Sequence, residues 1–206
     1  MIRTRHSPDG IRFEDLKMAD KLNVITIVGS LRKGSYNAAL ARQLPQWAPE
    51  GMSITAAPAW ADLPTYNADD QAKGFPETAT KLADAIRAAD GVIIVSPEYN
   101  YGVPGGVKNA IDWVSRMKDQ PFKDKPVAIQ SVAGGPLGGG RVQYQWRQIM
   151  VFVEVLVFLR PEVFVGMAQT KFDADTLEFK DEAGINFIKQ QLAGFEKFIR
   201  KVSGKA

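Results

Sequence analysis

Three predominantly apolar runs, separated by segments of helical periodicity, constrain the fold of this chain more than any other feature. The runs are LNVITIV at residues 22–28, GVIIVS at 91–96 and PVAIQSV at 126–132. Consecutive β-branched residues predict strands that are covered on both faces, because a strand with one face in water alternates apolar and polar residues. Strands that alternate with amphipathic helices predict βαβ units and a mostly parallel sheet.

Five predicted strands alternate with helices in this way between residues 22 and 202. Because crossovers between parallel strands are right-handed, helices are expected on both faces of the sheet. We therefore predict a flavodoxin-like three-layer α/β/α sandwich with a five-stranded parallel sheet in the order 2-1-3-4-5. A long loop is expected at 58–74. The predicted strands are 22–28, 52–57, 91–96, 126–132 and 155–165, the last interrupted near Pro161, and the predicted helices are 35–47, 75–89, 106–117, 141–152 and 182–202.

Length and composition predict one folded domain. The 206 residues are 45% hydrophobic, which is enough for one sizeable core. Residues 1–20 are polar and charged and lack the apolar centre of a signal peptide, so we expect a mobile N-terminal extension before a domain at 21–206. The longest apolar stretch, residues 150–159, contains Glu154 and is too short to span a membrane.

Residue usage excludes several chemistries. The chain has no cysteine and one histidine, His6, which rules out thiolate zinc sites, iron–sulfur clusters, cysteine nucleophiles and a Ser-His-Asp triad in the core. No metal site is expected, and a cytoplasmic location is predicted. The net charge is +3 with scattered Lys and Arg, which argues against nucleic acid as a partner.

The loop after the first strand, GSLRKGSYN, has the chemistry of a phosphate site. Loop amides and a helix N-terminus favour an anion, and Ser30, Ser35, Asn37 and Arg32 add hydroxyl, amide and guanidinium donors. The string is neither a Walker A loop nor GxGxxG. An equally simple interpretation is that Ser35 only caps the helix and that Arg32 is a solvated charge.

Two further loops follow the third and fourth strands, and carboxyl ends of parallel strands are where such sheets bind ligands. The first is SPEYNYGVPGG and the second SVAGGPLGGG, in which glycine permits positive φ and a close approach of backbone to a ligand. Alternatively, Glu98 caps the next turn or meets Lys108, the tyrosines are packing residues, and the glycine loop is a flexible turn. A ligand with a phosphate, a polyol and a flat ring would contact all three loops, and FMN satisfies this description.

GSLRKGSYN, SPEYNYGVPGGVKNAIDW and the glycine-rich loop at Ser131 together resemble the NAD(P)H-dependent FMN reductase family, particularly its quinone and chromate reductase branch. The resemblance covers residues 21–202. It implies a flavodoxin-like fold, bound FMN and NADH or NADPH as reductant. By motif position it implies a phosphate site at Ser30, Arg32, Ser35, Tyr36 and Asn37, a ring and ribityl border at Pro97, Glu98, Tyr99, Asn100 and Tyr101, and an opposite border at Ser131, Ala133, Gly134 and Gly135.

The expected reaction is a ping-pong transfer in which the flavin carries the chemistry and no side chain acts as catalytic base. The acceptor would be a small molecule such as a quinone or chromate, and the family implies a homodimer or homotetramer. An electron carrier or flavin-binding regulator without turnover is the alternative class, although the basic pI of about 9.0 argues against it. We expect a substrate rim or a subunit interface at Arg116, Lys118, Arg141, Tyr144 and Glu162.

Overall fold

The computed structural model describes residues 21–205 and contains one parallel sheet. The strands run in the order β2-β1-β3-β4-β5, with β6 also paired to β4. The predicted order is therefore confirmed, while the predicted N-terminal extension lies outside the described residues. Within that described range, no helix is long and apolar enough to cross a membrane. The strands are β1 (Leu22–Val28), β2 (Met52–Ala56), β3 (Gly91–Ser96), β4 (Pro126–Val132), β5 (Leu156–Val157) and β6 (Val163–Val165).

Helices occupy the predicted segments, with small differences at their ends. Pro76 stands at the N-cap of α3 rather than inside its first turn, and the long loop at 58–74 contains one short helix that was not predicted. Ser35 caps α1, where its side-chain oxygen accepts a hydrogen bond from the Ala38 amide. The helices are α1 (Tyr36–Trp47), α2 (Ala68–Gln71), α3 (Glu77–Ala88), α4 (Gly105–Val114), α5 (Gly140–Phe152) and α6 (Glu182–Ser203).

The fifth position of the sheet is filled by two short strands instead of one. β5 pairs with the start of β4, through Leu156 opposite Pro126, and β6 pairs with its end, through Val165 opposite Val132. Leu159 and Arg160 between them are exposed. The predicted interruption near Pro161 is thus confirmed, since proline offers no amide hydrogen to a neighbouring strand.

The sheet has an apolar core on each of its two faces, which explains why its strands are hydrophobic along most of their length. Side chains of β3 alternate between the two cores: Val92 and Ile94 join the core under α3, α4 and α5, whereas Ile93 and Val95 join the core under α1 and α6. Because successive strand residues point to opposite faces, a strand between two helical layers is apolar at nearly every position. This is the predicted three-layer sandwich.

An acid-sensitive contact stabilises the start of α6. The Asp181 carboxylate pairs with Lys171 at 2.8 Å and accepts a hydrogen bond from the Gly184 amide at 3.1 Å. The Lys171 contact, followed by this backbone contact, lowers the pKa of Asp181 from its ordinary value of 3.8. A depressed pKa contributes stability that is fully present above the unfolded value and is lost as the pH falls through the folded value.

We therefore expect Asp181→Asn to flatten the acid limb of stability. Asparagine is also a good N-cap, so the helix start is retained while the titrating group is removed. The urea midpoint should fall less in the variant than in the parent protein between about pH 5 and about pH 2.5, since the contribution of Asp181 begins to be lost as the pH drops below 3.8. Equal falls in the two proteins would show that Asp181 contributes nothing to the acid limb.

Candidate functional site

The three predicted loops meet at the carboxyl edge of β1, β3 and β4. The hydroxyl groups of Ser30 and Tyr99 lie 3.2 Å apart, which joins the first loop to the second. The Glu98 carboxylate accepts a hydrogen bond from the Val142 amide at 3.1 Å, which joins the second loop to α5. Parallel strands bring their carboxyl ends to one edge, so residues far apart in sequence form one site there.

Two adjoining pockets lie between these loops. The first, which we call the β1-loop pocket, has a volume of about 230 Å³. The second, the glycine-loop pocket, has a volume of about 550 Å³. Together they fall within the range of small-molecule sites, which is roughly 300–1,000 Å³. The β1-loop pocket is lined by Ser30, Arg32, Ser35, Tyr36, Asn37, Pro97, Glu98, Tyr99, Val132, Ala133 and Gly134, and the glycine-loop pocket by Glu98, Asn100, Tyr101, Ala133, Gly134, Gly135, Pro136, Leu137, Gly138, Gly139 and Arg141.

The β1-loop pocket offers donors to an anion. Ser35 satisfies the Ala38 and Ala39 amides, so the amide hydrogens of Tyr36 and Asn37, at the start of α1, are left without an acceptor in the described chain. Arg32 is exposed and pairs with no carboxylate among residues 21–205. Free helix N-terminal amides beside an uncompensated guanidinium suit a phosphate group. Ser35 is an N-cap and a lining residue at once, so the two interpretations of its role do not compete.

Two of the predicted binding side chains, those of Asn37 and Ser131, are buried and hydrogen-bonded to backbone far along the chain or in the next loop. Asn37 is buried, and its amide donates to the Val132 carbonyl at 2.9 Å and accepts from the Val132 amide at 3.0 Å. Ser131 is also buried and is not among the residues that line either pocket; its hydroxyl donates to the Gly138 carbonyl at 2.6 Å. Both side chains fix the position of neighbouring loops, which the sequence pattern did not distinguish from ligand contact.

The second loop forms a tight hairpin. Tyr99 and Gly102 exchange two backbone hydrogen bonds of 3.0 and 2.8 Å. The two central residues have positive φ, 48° at Asn100 and 64° at Tyr101, as in a type I′ turn. The tyrosines point to different sides, as predicted: Tyr99 reaches Ser30, whereas the guanidinium carbon of Arg141 lies 4.0 Å from the centre of the Tyr101 ring.

Glu98 anchors this hairpin to the start of α5. Its side chain is 11% exposed and accepts hydrogen bonds from the Arg141 guanidinium at 3.2 Å and from the Val142 amide. A carboxylate at the first turn of a helix is favourable because the helix dipole is positive there. The suggested contact with Lys108 is wrong, since Lys108 pairs with Asp112 at 2.6 Å.

The glycine-rich loop is held in place by backbone hydrogen bonds and is not a flexible turn. The Ala133 amide donates to the Val165 carbonyl, and the Met167 and Ala168 amides donate back to Gly135 and Ala133. A Cβ atom on Gly135 would meet nothing within 4 Å, and one on Gly134 would meet only the Gln169 side chain at 3.6 Å. This open backbone can lie flat against a planar ring, so the residues present fit the ring of FMN as well as its phosphate.

Sequence reasoning missed two glutamines on α5. Gln143 donates to the Ser131 hydroxyl at 2.9 Å and to the Val163 carbonyl at 2.7 Å, which supports the glycine-rich loop from beneath. Gln145 donates to the Tyr101 carbonyl at 2.8 Å and accepts from the Val103 amide at 3.2 Å. Their only sequence signal was two amide side chains directly after a glycine loop, which is too common to identify a contact.

Among the five predicted rim or interface residues, Arg141 alone lines a pocket described here. Arg116 lies 5.5 Å from the Tyr66 ring, and the Lys118 carbonyl accepts a hydrogen bond from Arg87. α4 begins at the pocket edge and runs away from it for about 15 Å, so residues that follow it stand at the far edge of the sheet. Arg116 and Lys118 therefore lie away from the edge of the ring that their own chain would bind.

The other two predicted rim residues differ in exposure, since Tyr144 lies on the surface and the Glu162 side chain is largely buried. Tyr144 is 58% exposed, and Glu162 pairs with Arg147 at 3.1 Å. A subunit interface, the alternative predicted for all five residues, stays a prediction. No group of three or more His, Cys, Asp or Glu side chains that could hold a metal occurs within 21–205.

Comparison with known proteins agrees with this site. The family model for NADPH-dependent FMN reductase matches residues 22–170. The chain is 51% identical to a quinone reductase of Escherichia coli over 90% of this chain and 99% of that protein. It is 42% identical to an NAD(P)H-dependent FMN reductase of Pseudomonas aeruginosa over 91% of this chain and all of that protein.

A solved structure supports the same assignment. The flavoenzyme NAD(P)H:(acceptor) oxidoreductase FerB of Paracoccus denitrificans superposes with a TM-score of 0.78 at 32% identity, over 87% of this chain and 98% of that one. The match of the family model covers most of the chain, and both relatives are aligned over nearly their full lengths. The three loops that form the two pockets all lie within the matched residues. The chain therefore belongs to the NADPH-dependent FMN reductase family.

Proposed function

We propose that this protein is an FMN-dependent oxidoreductase that passes two electrons from NADH or NADPH to a quinone. The observation that carries the proposal is the pair of adjoining pockets, one with free amide donors and a cation and the other with an open glycine backbone. The names of the relatives, quinone reductase and FMN reductase, agree with this chemistry.

In this proposal Arg32 and the amides of Tyr36 and Asn37 would hold the phosphate group of FMN. The hairpin at 99–102 would border an edge of the ring, and the backbone of Gly134 and Gly135 would lie against one of its faces. Bound FMN supplies the hydride-accepting and electron-donating chemistry. The protein itself needs no nucleophile or general base, so its task is to orient the ring and leave one face open.

The electron count balances without a further reagent. NAD(P)H loses a hydride, which is two electrons and one proton, and the quinone gains two electrons and two protons to become a hydroquinone. The second proton comes from solvent. Because nicotinamide and quinone would use the same open face in turn, we expect ping-pong kinetics, with parallel lines in double-reciprocal plots.

We propose chromate as a second acceptor because Arg141 places a cation at the glycine-loop pocket. A homodimer or homotetramer is proposed because α5 exposes apolar side chains, with Val151 79% and Phe152 71% exposed. A cytoplasmic location is proposed because that compartment supplies NADH and NADPH.

An anaerobic absorbance spectrum of the purified protein, before and after addition of NADH or NADPH, tests the proposal. We expect flavin bands that bleach on addition of the nucleotide and return when a quinone is added. Flavin that stays oxidised would indicate an electron carrier or regulator without turnover. No flavin, even after incubation with FMN, would refute the site itself.

A further inference from the structure

The hairpin at 99–102 has a conformation that its own sequence does not favour. Type I′ turns place positive φ at both central residues, where Asn-Gly is the preferred pair. Asn100 suits this region, but Tyr101 at φ 64° is strained, because its Cβ crowds the backbone. A strained residue persists only where the surrounding structure holds it, and such residues are concentrated at functional sites.

Gln145 holds the strained residue from outside the pocket. Its amide nitrogen donates to the Tyr101 carbonyl at 2.8 Å, and its amide oxygen accepts from the Val103 amide at 3.2 Å. One side chain therefore bridges backbone atoms on both sides of Gly102. Gln145 is not among the lining residues of either pocket, so any effect that it has on a ligand passes through the hairpin.

The other contacts of the hairpin do not fix the carbonyl of Tyr101. The Tyr99 hydroxyl acts at one end of the turn, through Ser30, and within the hairpin Arg141 lies against the Tyr101 ring and not against the backbone. The Tyr99–Gly102 backbone pair closes the turn but is equally compatible with other turn types. A bond to the Tyr101 carbonyl and to the amide of Val103 is what selects the orientation of the peptide groups that follow Tyr101.

We propose that Gln145 is a positioning residue for the flavin and acceptor site, acting by holding Tyr101 in its left-handed conformation. The inference rests on the proposed function, because Asn100 and Tyr101 would border the ring. The inference predicts that positions 145 and 101 are coupled. Replacing Gln145 should have little effect on activity when residue 101 tolerates positive φ without strain. Glycine at position 101 has that property.

A double-mutant cycle with Gln145→Met and Tyr101→Gly tests this coupling. In the parent background, loss of the two hydrogen bonds of Gln145 should lower kcat/KM for a benzoquinone acceptor by about tenfold. In the Tyr101→Gly background the same replacement should lower it less than about threefold. The visible circular dichroism of bound FMN should change in Gln145→Met, because it reports on the surroundings of the ring.

Gln190→Met is the matched control, since Gln190 is an exposed helical glutamine of α6 with no side-chain hydrogen bond in the described range. Gln145→Glu is a second single variant: it keeps an acceptor for Val103 but loses the donor to Tyr101, and it should resemble Gln145→Met. An unchanged kcat/KM in Gln145→Met or in Gln145→Glu, or equal losses on replacing Gln145 in both backgrounds, would overturn the inference. Parent protein that binds no FMN would instead refute the proposed function, and the inference with it.

Discussion

Gly138→Ala is expected to destabilise the protein by roughly 2–5 kcal/mol, which combines the cost of a left-handed alanine with that of overpacking. Gly138 has φ 59°, and a Cβ there would stand 2.8 Å from the Gly166 amide nitrogen and 2.8 Å from the Phe164 carbonyl carbon. Both contacts are with the backbone at the end of β6, which no side-chain rotation can relieve. The melting temperature should fall by about 5–15 °C.

Gly140→Ala is the control for this prediction. Gly140 stands at the start of α5, and a Cβ there would meet nothing within 4 Å. The melting temperature of the control should stay within about 3 °C of the parent, because alanine is the better helix former. The comparison should be made on protein without bound FMN, so that only the fold is measured. Equal melting temperatures for the two variants would show that the loop does not pack against Gly166 as described.

Arg32→Ala is expected to weaken FMN binding roughly 10- to 150-fold, the equivalent of about 1.5–3 kcal/mol for a hydrogen bond to a charged group. Arg32 lines the β1-loop pocket, beside the free amides of Tyr36 and Asn37. Its guanidinium forms no ion pair among residues 21–205, so its removal should leave the stability of the flavin-free protein nearly unchanged. Quenching of FMN fluorescence on titration with flavin-free protein measures the dissociation constant.

The neighbouring Lys33 provides the matched control for Arg32. Lys33 carries the same formal charge and is exposed, but it does not line the β1-loop pocket. Lys33→Ala should therefore change FMN affinity less than about threefold, the part owed to general electrostatic attraction. Similar losses in the two variants would mean that net charge, and not a directed contact from Arg32, attracts the phosphate.

Much of the fold was predictable from local patterns. β3 and β4 begin and end at the predicted residues, because a strand buried on both faces is a predominantly apolar run between polar turns. The fifth strand was less predictable. Its division into β5 and β6 depends on which amides find a partner along β4, a question that residue types around Pro161 do not answer.

The site was predictable as a set of loops but not as a set of contacts. Of the predicted binding residues, all except Ser131 line one or both pockets. The role of Asn37 nevertheless differs from the simplest expectation, since its amide is bonded to Val132 on a strand 95 positions later in the chain. Gln145 was not anticipated at all, because the Tyr101 carbonyl that it bonds is 44 positions away.

The sequence by itself determined the strand and helix pattern, the loops that carry the site, and the chemistries excluded by the absence of cysteine and the single histidine. These properties follow from residue types and short-range spacing, which act along the chain. Only the tertiary structure decided that Ser131 and Asn37 are bonded within the protein, that Arg141 lies on Tyr101, and that Arg116 stands away from the pockets. Such outcomes depend on which donors and acceptors the fold brings together, and pairing over long sequence separations leaves little trace in local composition.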